Sequence, residues 1–187
     1  MFSQYNDDLE LAWNRHLHFD RSVFIMMPFK NTLTYRSVAM AIREACENKG
    51  FKAIRVDDHD RQFKDRLWDN LVVNMLSCKY AVAVYVGEQV FDRLEDNEPK
   101  MFANPNVALE YGFFTSRGQS ICLLKDKKSP IPSDLQGFLW NEFRIDDPHK
   151  DVINGVESFL DKILQEEAEQ TASKDDESAD ASSSPMS

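Results

Sequence analysis

The chain has 187 residues, of which 42% are hydrophobic and 13 are Phe, so one sizeable core and one main domain are expected. Its formal net charge of −10 argues against direct nucleic-acid binding, which depends on phosphate contacts from Lys and Arg. No apolar run approaches the roughly 20 residues that a membrane-spanning helix requires, so no membrane association is expected.

Strands and helices are predicted to alternate in the first third of the chain. A leading helix over residues 3–16 precedes the apolar run SVFIMM at 22–27, which is typical of a strand buried on both faces. Helical spacing then covers 32–49, and a second short strand is predicted at 51–56. This alternation favours a parallel sheet.

The same alternation continues to the end of the domain. A helix over 63–77 leads to the clearest buried strand, YAVAVYV at 80–86, and a long loop over 87–103 follows. The next helix begins with Asn104 as its cap and Pro105 at its first position, where a missing amide hydrogen has no cost. The remaining predicted elements are two strands and a closing helix, at 121–125, 140–145 and 151–168.

Five short strands separated by helices predict a three-layer α/β fold of the flavodoxin-like type. The expected sheet is parallel, with strand order 2-1-3-4-5. In such sheets ligands bind beyond the carboxyl ends of the strands, at the switch point between strands 1 and 3. The loops after strands 1, 2 and 3 are therefore the expected site.

The chain is predicted to have three parts. Residues 1–20 form the leading helix, 21–165 form the α/β domain, and 166–187 form a disordered acidic tail. The tail has seven acids, six Ser, one Lys and no aromatic residue, so it cannot bury enough apolar surface to offset the entropy of ordering it. Its removal is not expected to unfold the domain.

The cysteines and the amino terminus indicate the compartment. Cys46, Cys78 and Cys122 are odd in number and widely spaced, which favours buried thiols in a reducing environment over disulfides or zinc ligands. The first residues, MFSQYNDDLELAW, are acidic where a signal peptide is basic. A cytoplasmic protein is predicted.

Several familiar chemistries are excluded by the loops. The turn after strand 1, MMPFKN, has none of the glycines of a dinucleotide fingerprint or a Walker phosphate loop. Strand 3 ends in Val86-Gly87-Glu88, where a response regulator would need an acceptor Asp. No G-x-S-x-G elbow is present, which argues against a serine hydrolase.

Glu110 is the most unusual residue of the helix that opens with NPNVALEYGFF. A capping box would place its acid at Val107, one turn earlier. Apolar residues surround Glu110 in nearly every direction, so the helix is expected to be buried and the pKa of Glu110 raised. Two interpretations remain open: a catalytic carboxylate, or a structural acid paired with a nearby Arg.

Three motifs together carry a family resemblance: VFIMMPF on strand 1, RVDD after strand 2 and NPNVALEYG after strand 3. They resemble a bacterial group of Toll/interleukin-receptor-like (TIR-like) domains, related in fold to the nucleoside 2-deoxyribosyltransferases. The resemblance covers about Ser22 to Ile145. It implies that Glu110 acts at the anomeric carbon of a nucleoside or of the nicotinamide ribose in NAD, opposing an oxocarbenium-like charge.

The resemblance also suggests residues that bind the substrate. Asn104 and Asn106 would shape the loop and bond ribose hydroxyls, and Phe29 would stack on a base. Candidates from position alone are Arg55, as a partner of phosphate or of Glu110, and Trp68, which closes the pocket or only packs. Asp57 and Asp58 bond ribose or are merely solvated, and Glu88 stands imperfectly where relatives carry an Asp.

Cleavage of the N-glycosidic bond of NAD or a related nucleotide, as a prokaryotic immune effector, is the leading functional hypothesis. The alternatives are a nucleotide-sensing or TIR assembly module without turnover, and a nucleoside 2-deoxyribosyltransferase. No cofactor and no metal site are expected, with NAD considered only as substrate, because the acidic run at 57–60 alone is weak evidence for Mg²⁺. The expected partners are a nucleotide or nucleoside ligand and further copies of the chain.

The segment EQVFDRLEDNEPK at 88–100 is long for a connection in a compact domain. It is interpreted as a lid over the pocket or as a family-specific insertion without a role in the chemistry.

Overall fold

A computed structural model describes residues 2–15, 18–91, 99–102, 104–129, 131 and 135–181. For residues 15, 88–91, 99–102 and 174–181 it describes the backbone only.

The centre of the fold is a five-stranded parallel sheet. Its strands are β1 (Ser22–Met26), β2 (Lys52–Ile54), β3 (Tyr80–Tyr85), β6 (Ile121–Asp126) and β7 (Asn141–Phe143). Their order across the sheet is β2-β1-β3-β6-β7. The predicted flavodoxin-like order is therefore confirmed, and the switch point lies between β1 and β3.

In the described part of the chain, five α-helices cover the two faces of the sheet. They are α1 (Asn6–Arg15), α2 (Leu33–Asn48), α3 (Leu67–Leu76), α4 (Pro105–Ser116) and α5 (His149–Ala181). Side chains of α2 and α5 belong to one core cluster, and side chains of α1, α3 and α4 belong to the other. The molecule thus has the predicted three layers.

Residues of each central strand alternate between the two cores. In β3, Val82 and Val84 face the α2 and α5 side, whereas Ala81 and Ala83 face the α3 and α4 side. Because successive side chains of a strand point to opposite faces, a strand covered on both faces must be apolar throughout. This explains why YAVAVYV reads as one continuous apolar run.

The segment predicted as a loop at 87–103 contains two strands. β4 (Glu88–Phe91) and β5 (Pro99–Phe102) pair antiparallel as a separate two-stranded ribbon. The expectation of a connection without secondary structure is therefore wrong for these residues. Whether the segment acts as a lid stays a prediction, because 92–98 lie outside the described residues.

α5 continues through Ala181, well beyond the predicted end of the domain at residue 165. Glu167 lies within the predicted tail, yet its carboxylate accepts hydrogen bonds from Arg21 at 2.8 Å and from the Tyr80 hydroxyl at 2.9 Å. The sequence predicts disorder from Glu166 onward, whereas the structure has a helix there. Glu167 bonds partners that are distant in the sequence, which a local composition does not show. Residues 182–187 lie outside the described part of the chain.

All three cysteines are free and buried, as predicted. Burial raises the pKa of each thiol to about 12, so these groups are inert thiols of the core. Among the described residues, no helix has the length and apolar character needed to cross a bilayer.

Candidate functional site

A cavity of about 320 Å³ opens beside α4, beyond the carboxyl ends of β1 and β2. Its walls are the loops after β1 and β2 together with α3 and α4, so it lies at the carboxyl edge of the sheet, where such folds bind ligands. Four predicted site residues lie in this lining: Phe29, Trp68, Asn106 and Glu110. The structure therefore brings together residues that are up to 81 positions apart in the sequence.

Glu110 faces the interior of the fold because of its position on α4. The buried residues of this helix are Val107, Glu110 and Phe114, which follow the i, i+3, i+7 spacing of a single helix face. Phe114 anchors this face by stacking on Phe24 of β1, with ring centroids 5.8 Å apart. The expectation that the helix is buried all round is wrong, since Leu109 is 55% exposed.

The Glu110 side chain combines burial with access to the cavity. It is 4% exposed and lines the cavity wall. Loss of hydration raises its pKa to about 8, and the charge of Arg55 acts in the opposite direction. No donor in the described part of the chain bonds its carboxylate, so the predicted structural pair with an arginine reduces to this electrostatic influence.

Phe29 and Trp68 supply aromatic surface next to Glu110. Phe29 follows β1 and is 51% exposed, whereas Trp68 lies in the first turn of α3 and is 48% exposed. Large aromatic side chains in a cavity wall are suited to contact a planar heterocycle. Of the two interpretations of Trp68, the structure places it at the cavity rather than in the core.

A second cavity, of about 330 Å³, adjoins the first, and Phe29 lines both. Its other lining residues are Lys30, Asn31, Arg36, Arg55 and Asp57. The guanidinium of Arg55 bonds the Asp57 carboxylate at 2.8 Å. The predicted residues Arg55 and Asp57 therefore lie in this polar cavity and not in the wall of the apolar one.

The neighbouring Asp58 holds the turn after β2 in place. Its carboxylate accepts bonds from the Arg43 guanidinium at 2.7 Å and from the Arg55 backbone amide at 2.9 Å. These bonds tie the turn after β2 to α2. Asp58 lines neither of the two cavities described above, so the structure does not bring it to Glu110.

Asn104 caps α4 as predicted. Its side-chain oxygen accepts a bond from the Asn106 amide at 3.0 Å, and the Asn106 side chain lines the apolar cavity. The backbone of Glu88 belongs to β4, but its side chain is outside the described residues, so its predicted role stays a prediction.

Seven of the lining residues have no role predicted from the sequence: Lys30, Asn31, Arg36, Val56, Leu67, Leu71 and Leu109. The sequence position of two of them, Arg36 and Lys30, could have indicated a role. Arg36 lies in the first turn of the helix after strand 1, and Lys30 lies in the loop before it, both at the predicted binding edge. Leu109 adjoins Glu110, but a helical pattern does not show which apolar residues remain exposed.

One of three comparisons with known proteins finds a match. Residues 22–145 match the family model described as CAP12/Pycsar effector protein, TIR domain, and this range includes both cavities. No curated protein and no solved structure among those compared gives a significant match. The match covers well over half of the 187 residues, and the chain therefore belongs to the CAP12/Pycsar effector TIR-domain family.

Proposed function

We propose that this TIR domain cleaves the N-glycosidic bond between nicotinamide and ribose in NAD or a related nucleotide, as a cytoplasmic effector of bacterial defence against phage. The observation that carries the proposal is the Glu110 carboxyl group. It is desolvated, has no hydrogen-bond donor among the described residues and opens onto an apolar cavity with two exposed aromatic side chains.

Glu110 would oppose the positive charge that develops at the anomeric carbon. The bond between C1′ and the nicotinamide nitrogen breaks, and its electron pair moves onto nitrogen. Water then bonds to C1′, and the products are nicotinamide, ADP-ribose and one proton. A carboxylate with little hydration stabilises such a transition state more strongly than a solvated one, because its field is not screened by water.

A pKa near 8 leaves most Glu110 side chains protonated at pH 7 in the free protein. The nicotinamide ring of NAD carries a positive charge, and its binding would favour the ionised carboxylate. Phe29 and Trp68 can stabilise the same cationic ring through their π faces. We therefore expect NAD to bind more tightly than its reduced form, whose dihydronicotinamide ring is neutral.

The direct test is to incubate the purified protein with NAD and to quantify nicotinamide by chromatography. Glu110→Gln keeps the size of the side chain and removes the charge, so nicotinamide release should fall at least about 100-fold. Glu10→Gln, at an exposed acid of α1, is the matched control and should release nicotinamide at the rate of the parent protein. Unchanged release by Glu110→Gln would refute the catalytic role.

The same high pKa favours a second candidate, a nucleotide-sensing module in which neutral Glu110 only contacts the ligand. A thermal shift with NAD in the absence of nicotinamide release would support this alternative. A nucleoside 2-deoxyribosyltransferase would instead exchange bases between two nucleosides, which chromatography of the mixed nucleosides would detect.

Assembly into homo-oligomers is part of the proposal. What supports it is the apolar rim of the cavity, where Leu67 is 73% exposed and lies beside the half-exposed Trp68 and Leu109. Exposed apolar clusters of this kind are common at protein interfaces. Light scattering with and without nucleotide would measure the state of assembly.

A further inference from the structure

The polar cavity concentrates positive charge in a strongly acidic protein. Lys30, Arg36 and Arg55 line it, and Asp57 is the one carboxylate among its described lining residues. The whole chain has a formal net charge of −10, so this arrangement runs against its composition. A local excess of cations in a concave surface attracts an anion.

Three different elements supply the cations. Lys30 lies in the turn after β1, where its backbone amide donates to the Pro28 carbonyl at 2.8 Å. Arg36 is exposed in the first turn of α2, and within the described residues its side chain forms no ion pair. Arg55 follows β2. The fold, and not a local run of basic residues, therefore assembles the cluster.

Asp57 neutralises only part of the positive charge of this cavity. Its carboxylate bonds the Arg55 guanidinium at 2.8 Å, and Arg36 lines the same cavity without a carboxylate partner in the described residues. A guanidinium has five donors in a planar fork, which matches two oxygens of a phosphate group. The donors left after one carboxylate contact thus suit a phosphate better than a neutral hydroxyl.

We propose that the cavity lined by Lys30, Arg36 and Arg55 is a phosphate-binding subsite, so that the ligand of this protein is a nucleotide and not a nucleoside. The proposal deepens the function proposed above, because Phe29 lines both cavities and a ligand lying along it would reach Glu110 with one end and the cations with the other. Phosphate binding can be tested independently of NAD cleavage, since a phosphate group alone should occupy the cationic cavity.

The first experiment measures binding without catalysis. Inorganic pyrophosphate, titrated at low salt, should raise the melting temperature of the parent protein by several degrees. Arg36→Gln should lose most of this shift, and Lys30→Gln serves as a second variant. The matched control is Lys162→Gln, which removes one exposed positive charge from the middle of α5. An equal shift in all four proteins, or none in the parent protein, would overturn the subsite.

The second experiment separates the subsite from the chemistry. Nicotinamide mononucleotide and nicotinamide riboside differ by one phosphate, so kcat/KM for nicotinamide release should be at least about tenfold higher for the mononucleotide. Arg36→Gln should reduce that value about tenfold and leave the riboside value unchanged. Equal kcat/KM for the two substrates would overturn the subsite. Pyrophosphate binding that depends on Arg36, with no nicotinamide released from any substrate, would instead reject the cleavage and retain the subsite.

Discussion

Arg55 lies over the ring of Phe29, with its guanidinium carbon 5.9 Å from the ring centroid. This contact places a permanent positive charge at the boundary between the two cavities, because Phe29 lines both. The same charge lowers the pKa of Glu110 against the larger effect of desolvation. The protonation of Glu110 is thus linked to the polar cavity next to it.

The pH dependence of nicotinamide release should report this link. The proposed cleavage needs ionised Glu110, and burial raises the pKa of this group to about 8, so kcat/KM should rise with pH and level off above about pH 8. Arg55→Gln removes a charge that lowers this pKa, so the midpoint should move to higher pH. A spectrophotometric assay between pH 5 and 10 would measure both profiles.

Arg144→Gln is the control for this profile. Arg144 follows β7, the edge strand on the opposite side of the sheet from β2, which Arg55 follows. Its midpoint should match that of the parent protein. A midpoint near the ordinary glutamate value in the parent protein would contradict the desolvated state of Glu110.

Glu110→Gln should stabilise the folded protein at neutral and higher pH. The pKa of Glu110 rises from 4.5 to about 8 on folding, so the unfolded chain releases this proton first and parent stability falls as pH rises through that window. Glutamine does not titrate. Its advantage in the free energy of unfolding should grow by up to about 1.4 kcal/mol per pH unit between roughly pH 5 and 8.

Urea denaturation at pH 5, 6.5 and 8 would measure this advantage. A difference between the two proteins that does not change with pH would show that Glu110 ionises normally in the folded state.

Trp68 should report ligand binding by fluorescence. It is one of three tryptophans and lies at the cavity, whereas Trp13 and Trp140 pack against the core on the α3 and α4 side. NAD should quench part of the emission of the parent protein, and Trp68→Phe should abolish that change. Trp68→Phe keeps an aromatic face and should retain affinity, while Trp68→Ala should raise KM by about threefold to tenfold. Quenching that persists in Trp68→Phe would place the ligand elsewhere.

Asp58→Asn should affect stability more than activity. The change weakens the bonds to the Arg43 guanidinium and the Arg55 amide, at a cost of about 1–2 kcal/mol for a half-buried charged acceptor. Thermal denaturation would measure the loss, and KM for NAD should change less than in Trp68→Ala. A large rise in KM with unchanged stability would restore Asp58 to the list of binding residues.

Truncation before Glu166 should destabilise the domain, contrary to the sequence expectation. It removes Glu167, which bonds Arg21, Tyr80 and, at 3.3 Å, Lys79. Loss of this partly exposed network should cost about 1–3 kcal/mol. A chain that ends after Ser173 keeps Glu167, so its free energy of unfolding should be close to that of the parent protein. Equal stability of the two truncated chains would refute the role of Glu167.

The sheet could be predicted from the sequence because its signal is local. Strands such as SVFIM and YAVAVY are buried on both faces, and each shows this as a continuous apolar run. The strand order followed from alternation and the rules of connection. The position of Glu110 followed in turn, since Asn104 and Pro105 marked the start of α4.

The features that were missed depend on contacts between distant residues. The β4 and β5 ribbon lies in a charged segment that contains Pro99, so neither strand shows an apolar alternation. The extended α5 is held by Arg21 and Tyr80, which bond Glu167. Both residues are far from Glu167 in the sequence, so the composition of the segment around Glu167 does not reveal these contacts. The cationic cavity likewise draws Lys30, Arg36 and Arg55 from three elements.

The direction of α5 has a practical consequence for work in living cells. The helix runs from the carboxyl edge of the sheet, where Glu110 lies, and passes Arg21 and Tyr80 at the starts of β1 and β3 before it reaches Ala181. A fluorescent reporter fused behind α5 would therefore lie on the side of the molecule opposite the cavity mouth, and the tagged protein could be imaged in cells with that cavity unobstructed.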